Sequence, residues 1–491
     1  MTAFPMSPDR LLTRIDKADA ELTARYSKVL EVNQDLDRTL VSFQANKTEH
    51  GHRWCKYKEG FSAALVRYLL ARLGIRRGPV LDPFAGSGTT LFVASECGLD
   101  AVGIELLPSS AEIIEVREMI QRAEARPLAD ALRALARKRS WEENGQRQPL
   151  AELAVTRGAY PAATRVCLER YLHDARCAGS EKLVRILRFA ALSILESVSY
   201  TRKDGQYLRW DDRSGRRRGT KPFDKGKILD FTTAIVAKLQ EMAEDLAAQD
   251  RLPADESATT AGRISLHRGS CLDVLPMLDR RAFSAIVTSP PYCNRYDYTR
   301  TYALELAMLG VDESGLKDLR QAMLSCTVEN KRKEHLRERF PTSTYNLATD
   351  ACEQQELLQL TLAYLDQCRA AGTTNNPGIP RMVRNYFWEL SLVIAQCARV
   401  LKPGSPLVMV NDNVRYQGVH VPVDLILSDI ASQVGFDVEK IWVLPKGKGN
   451  SSQQMGRHGR AELRKCVYVW RRRGWPKDEH ADAAPNGDRR D

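Results

Sequence analysis

The chain has 491 residues, 43% of them hydrophobic and 27% charged, with a formal net charge of +11. That is ample apolar material for a large core with appended elements, and the basic balance suits a polyanionic partner. No run of about 18 apolar residues is available to span a bilayer, the amino terminus lacks an apolar signal core, and the eleven cysteines include no C-x-x-C pair. These facts argue against a membrane protein, a disulfide framework and a zinc site, and make a reducing cytoplasm the expected compartment.

In chain order, residues 1–45 read as a helical extension and residues 46–106 as the first part of an α/β catalytic domain. The segment Lys58-Glu59-Gly60-Phe61-Ser62 precedes a helical stretch over 63–73, and Pro79-Val80-Leu81 can end a buried strand. The strand runs into Asp82-Pro83-Phe84-Ala85-Gly86-Ser87-Gly88-Thr89-Thr90. Gly86 and Gly88 permit backbone shapes and close approaches that a side chain would forbid, and a helix opens from Thr89. A ligand belongs at the carboxyl end of such a strand, yet the spacing is neither the G-x-G-x-x-G dinucleotide fingerprint nor a phosphate loop. A second apolar run, 101–104, ends in Glu105, the usual device for holding two ribose hydroxyls. The expected ligand is therefore a nucleoside without phosphates.

Residues 107–261 are too long for a connection within a compact domain and read as an inserted helical region. Residues 111–136 and 164–199 carry helical spacing without a sustained heptad. Between 199 and 221 basic and aromatic residues interleave, with Arg202, Lys203, Tyr207, Arg209, Arg216, Arg217, Arg218 and Lys221. This is the composition a groove needs to neutralise phosphates and stack on unpaired bases, so these residues are the candidate DNA contacts. Asp211, Asp212 and Asp224 offset part of the charge.

The catalytic domain resumes over 262–475, where Ala285-Ile286-Val287 reads as a buried strand leading into Thr288-Ser289-Pro290-Pro291-Tyr292. Two consecutive prolines fix the main chain and delete two amide donors, so the loop presents acceptors. The Ser289 side chain and the Pro290 carbonyl can hold the hydrogens of a planar amine, and Tyr292 offers a flat face to a base swung out of its stack. Cys293 beside the motif is a small packed residue, since no Pro-Cys pair occurs in the chain. A candidate target-recognition insertion spans 312–380, including Lys331-Arg332-Lys333. A helix over 386–400, a strand over 406–410, a helix over 421–434 and a strand pair over 441–444 and 466–470 complete the domain, and 476–491 is expected to be a disordered tail.

The cofactor loop followed by Val102-Gly103-Ile104-Glu105, together with Thr288-Ser289-Pro290-Pro291-Tyr292, resembles the DNA amino-methyltransferases that use S-adenosylmethionine. The resemblance implies a Rossmann-like seven-stranded methyltransferase sheet with a large helical insertion. It assigns Asp82 to Gly88 to the methionine portion of the cofactor, Glu105 to its ribose and Phe61 to a contact over the methionine end. Where the family strand ends in Gly-Asp, this chain has Gly269-Ser270, with Asp273 three residues on; either residue is the candidate for the adenine side. Serine at position 289 favours the 4-amino group of cytosine in double-stranded DNA, whereas the 6-amino group of adenine and a guanine amine in RNA are alternatives. A subunit that binds cofactor and DNA without catalysis is a further one. A restriction endonuclease or defence-system partner is the expected context, and no metal is implied.

Overall fold

Among the described residues twelve strands follow in chain order: β1 (Leu30–Val32), β2 (Val80–Asp82), β3 (Ala101–Glu105), β4 (Thr201–Lys203), β5 (Leu208–Trp210), β6 (Ile264–Arg268), β7 (Ala285–Thr288), β8 (Pro406–Asp412), β9 (Val414–Tyr416), β10 (Val419–Val421), β11 (Phe436–Val443) and β12 (Lys465–Arg472). The computed structural model describes residues 6–204, 208–216, 222–249, 261–445 and 463–473. The candidates Tyr207, Arg217, Arg218 and Lys221 and the segment 476–491 lie outside the described residues.

Eight strands form one sheet in the order β1-β11-β12-β8-β7-β2-β3-β6. Only β12 runs antiparallel to its neighbours, so the terminal hairpin expected from 441–444 and 466–470 closes an otherwise parallel, Rossmann-like sheet. The sheet has one strand more than expected. Leu30–Val32, inside what read as a purely helical extension, pairs in parallel with Ile441–Val443, and the Ile441 amide bonds the Val29 carbonyl at 2.8 Å. A three-residue strand carries too little periodicity to announce itself.

Both faces of the sheet are covered, as its runs of buried β-branched and aliphatic residues require. Val80, Val287 and Val408 face the helices Ala63–Arg72 and Thr89–Glu96, while Leu81, Ile286 and Leu407 face the helix Ile379–Val400. Helices Glu313–Ala322, Leu336–Arg339, Thr342–Glu353 and Glu356–Ala370 occupy the region 312–380, and Leu336, Ala348 and Leu358 of the last three, with Phe340 between the first two of these, belong to the core around Ile379–Val400. The stretches 111–136 and 164–199 each resolve into two helices. In the second, Gly179 turns with φ +83 and the Ser180 side chain caps Glu181–Val198 by accepting from the Leu183 amide. These helices, with Phe231–Gln249, build a separate core that also takes in Ala303, Leu304 and Ala307, just downstream of the Ser-Pro-Pro-Tyr loop. No described helix is long and apolar enough to cross a membrane.

After β2 the chain moves to the β3 side of the sheet, and after β7 to the β8 side. The two loops of interest therefore leave adjacent parallel strands at the switch point where open α/β sheets bind ligands.

Candidate active site

The cofactor-type loop is shaped by glycine where the backbone demands it. Gly86 has φ +55, and a β-carbon there would lie 3.0 Å from the Tyr57 ring; Gly88 has φ +80 and serves as N-cap of Thr89–Glu96. Glu105, at the end of β3, accepts from the Gly86 amide through Oε2 and from the Leu107 amide through Oε1, both at 2.7 Å. Burial raises its carboxyl to about 7 although those two amides pull the other way. Asp82 accepts from the Phe84 amide at 3.0 Å and from the Thr288 hydroxyl at 2.6 Å, and burial raises it to about 6.

The Asp82–Thr288 bond ties the first loop to the second, and Thr90 adds another tie by donating to the Val287 carbonyl at 3.2 Å. In the second loop, the Ser289 hydroxyl donates to the Val410 carbonyl at 3.1 Å and lies 3.4 Å from the Tyr292 hydroxyl. Its one proton is thereby committed to a carbonyl, and lone pairs are what it can offer a third group. Pro290 is buried, and Tyr292 is half-buried with the Lys465 ammonium 5.8 Å from its ring centre. Burial pushes the Tyr292 phenol up and Lys465 opposes the shift. Cys293 is fully buried and its thiol is pushed well above the ordinary value, so it is no nucleophile.

The two loops border a single open cleft. Asp82, Pro83, Phe84, Ala85, Gly86, Ser87, Thr89 and Glu105 line it from one side, Ser289 and Pro291 from another, and Phe61 and Ser270 also border it. The two loops thus meet at one cavity, which Ser289 and Pro291 border and Pro290 and Tyr292 do not.

The chain is similar to known proteins over nearly its whole length. A family model described as DNA methylase matches residues 14–116. A type II methyltransferase of Nostoc sp., M.AvaI, is 48% identical over 478 residues, covering 96% of each chain, and the M.AvaI of Anabaena variabilis matches to the same extent. The chain belongs to the type II DNA methyltransferases. A third relative, M.BsoBI of Geobacillus stearothermophilus, is 39% identical over 473 residues, covering 92% of this chain and 91% of its own.

The methyltransferase departs from the sequence reading at several residues. Asp273 does not border the cleft; it lies 3.8 Å from Arg339 at the mouth of a neighbouring basic hollow, so of the two adenine-side candidates it is Ser270 that the fold brings to the cavity. The Ser270 hydroxyl donates to the Ala322 carbonyl at 2.8 Å and caps the short helix Cys271–Val274. Gly88 and Thr90 shape and anchor the loop without lining the cleft. Lys203 was expected on a DNA-facing surface, yet it is buried: its ammonium pairs with Glu305 at 2.6 Å and sits 4.0 Å above the Tyr302 ring. Arg216 spends its guanidinium on the carbonyls of Ala154 and Val155 and on the Trp210 ring face. Arg202 is exposed, and Arg209 is exposed beside Asp204 with its guanidinium over Phe223.

Sequence reasoning missed a tyrosine cluster. Tyr57 borders the cleft and stacks on Tyr302 with ring centres 5.3 Å apart, Tyr296 and Tyr298 pack at 4.6 Å, and the hydroxyls of Tyr296 and Tyr302 both donate to Glu59. Tyr57 precedes the quoted Phe61 segment and Glu59 lies within it, and Tyr-Asp-Tyr at 296–298 follows the proline loop by four residues. Aromatic density near both motifs was the available signal.

Proposed function

We propose that this methyltransferase transfers a methyl group from S-adenosylmethionine to the 4-amino group of cytosine in double-stranded DNA. The observation that carries the reading is the Ser289 hydroxyl held by the Val410 carbonyl within the cavity that also holds Asp82 and Glu105.

The residues present fit the cofactor. Gly86 lets its loop approach the cleft-lining Tyr57 ring more closely than a side chain would allow, Glu105 has lone pairs beyond the two amides it accepts from, and Phe61 and Leu107 give the cleft apolar walls. Asp82 to Ser87 and Phe61 would hold the methionine portion, Glu105 the ribose and Ser270 the adenine side. When bound, the cofactor supplies an electrophilic methyl group on a positively charged sulfur. The protein's part is to align the acceptor. Ser289 and the Pro290 carbonyl take the two hydrogens of the exocyclic amine, which turns its lone pair toward the cofactor side of the cavity, and Tyr292 stacks on the extruded base. Positioning of this kind contributes roughly 7 to 11 kcal/mol, enough for most of the rate. A neutral serine at this position supports cytosine; adenine is the second reading, because the same acceptors suit its 6-amino group.

Mass spectrometry of nucleosides from DNA incubated with enzyme and labelled cofactor should find 4-methylcytosine. Finding 6-methyladenine would overturn the base assignment, and label confined to RNA would overturn the substrate class. Arg202 and Arg209 are the proposed phosphate contacts of the insertion. Changing both to Ala should flatten the dependence of log affinity on log salt by about 0.9 per contact. An unchanged slope would move DNA contact elsewhere, with Lys331 and Arg332 of the second insertion next in line. A cognate restriction endonuclease is proposed as its cellular partner.

A further inference from the structure

Glu59 is an acid without a counter-ion. It borders the cleft together with Ser289 and Pro291, and both of its oxygens are fixed by tyrosine hydroxyls, one from Tyr296 and one from Tyr302. No lysine, arginine or histidine among the described residues pairs with it, and the two lysines on neighbouring elements are committed elsewhere. The Lys58 ammonium is 3.3 Å from Glu196 and 3.0 Å from the Lys203 carbonyl, and the Lys203 ammonium is held by Glu305. Tyrosine hydroxyls satisfy hydrogen-bonding capacity but bring no positive charge, so the net charge of this wall is negative.

The occupant of the cavity brings the missing charge. Methyl transfer starts with a cation on sulfur and moves that cation onto the amine, and the reacting sulfur has to lie beside the amine clamp. Ser289 is neutral, so the clamp itself supplies no compensating charge. We propose that Glu59 is the counter-charge for the positive sulfur of the methyl donor, held in place by Tyr296 and Tyr302. Two oxygens pinned by hydroxyls of the buried Tyr302 and the half-buried Tyr296 keep the carboxylate from swinging away to solvent, and in a partly dehydrated cavity its field acts with little screening. The preference it creates is for a sulfonium over the neutral thioether left after transfer, which favours exchange of spent cofactor for fresh.

This inference rests on the proposed cofactor, and the test separates the two. Calorimetry without DNA would measure binding of S-adenosylmethionine, of sinefungin, which carries a charged amine where the donor has its sulfonium, and of S-adenosylhomocysteine, which is neutral there. Glu59→Gln keeps the shape and an acceptor oxygen and removes the charge. It should weaken the two cationic ligands about tenfold and the neutral one less than twofold. Equal losses for all three would overturn the proposal, since the carboxylate would then serve a shared part of the ligands or the fold; so would no loss for any. Failure of the wild-type protein to bind any of the three would sink the cofactor reading itself. Should Glu59→Gln fail to fold, Tyr302→Phe retains the ring that stacks on Tyr57 and removes one hydroxyl from Glu59. The affinity for S-adenosylmethionine relative to S-adenosylhomocysteine should then fall, because the freed oxygen lets the carboxylate swing away, and an unchanged ratio would overturn the proposal.

Discussion

The loops after β2 and β7 leave neighbouring parallel strands, point into the same cavity and are bonded to each other, yet their backbones are built on opposite plans. The first uses glycine: Gly86 at φ +55 turns its amide inward, where Glu105 accepts from it. The second uses proline: two donors are deleted, and the Ser289 hydroxyl is directed at the Val410 carbonyl. One loop therefore anchors an acid with lone pairs to spare, and the other presents acceptors where a main chain would ordinarily offer donors. The difference teaches that a site can be made selective by the main chain before any side chain is chosen, through which donors are kept and which are removed.

The largest expected effect comes from breaking the glycine plan. Gly86→Val places a branched side chain at a left-handed backbone position, about 1 to 3 kcal/mol of strain, and drives its β-carbon against the Tyr57 ring. Cofactor affinity should fall about a hundredfold by calorimetry, while DNA binding persists. On the proline side, Tyr292→Ala loses about 1 to 3 kcal/mol of base stacking. Single-turnover methylation should slow roughly tenfold or more with cofactor affinity within about twofold. Ser289→Ala should cost less, about tenfold in turnover or under, because the Pro290 carbonyl remains as acceptor and one neutral hydrogen bond is worth about 0.5 to 1.5 kcal/mol. If Ser289→Ala lowered cofactor affinity instead, the division of labour between the loops would be wrong.

The smallest effect concerns protons. Glu105 is raised from 4.5 to about 7 in the folded, ligand-free protein. The native state then keeps a proton that the unfolded chain has already lost, so this group's contribution to stability is fully present below about 4.5 and is lost as pH rises through about 7. Glu105→Gln removes that contribution. The difference in melting temperature between wild type and variant should shift against the wild type as pH rises across this window, and a difference independent of pH would place Glu105 in contact with water.

Legibility along the chain followed the range over which each feature is determined. Asp82 to Thr90 and Ser289 to Tyr292 are local: strand, turn and helix start are written in contiguous residues, and both loops arrive where such loops belong. Lys203 shows the opposite case. Its neighbours suggested a charged surface, but in β4 alternate residues face opposite ways, so Arg202 is exposed while Thr201 and Lys203 turn inward. Which side was inward depended on Glu305, about a hundred residues downstream, and nothing local encodes that partner. Glu59 was quoted only as a neighbour of Phe61, because its setting depends on Tyr296 and Tyr302, which lie more than two hundred residues downstream.

The short strand Leu30–Val32 has a consequence for how the molecule is made. It covers the flank of β11, which would otherwise present a row of unpaired backbone groups to any other chain with an extended segment. Its partners, Ile441 to Val443, lie about four hundred residues downstream and leave the ribosome long after it. Throughout synthesis the amino-terminal segment must wait for a strand that does not yet exist, and the hairpin that arrives late is protected at once because its cover is already present.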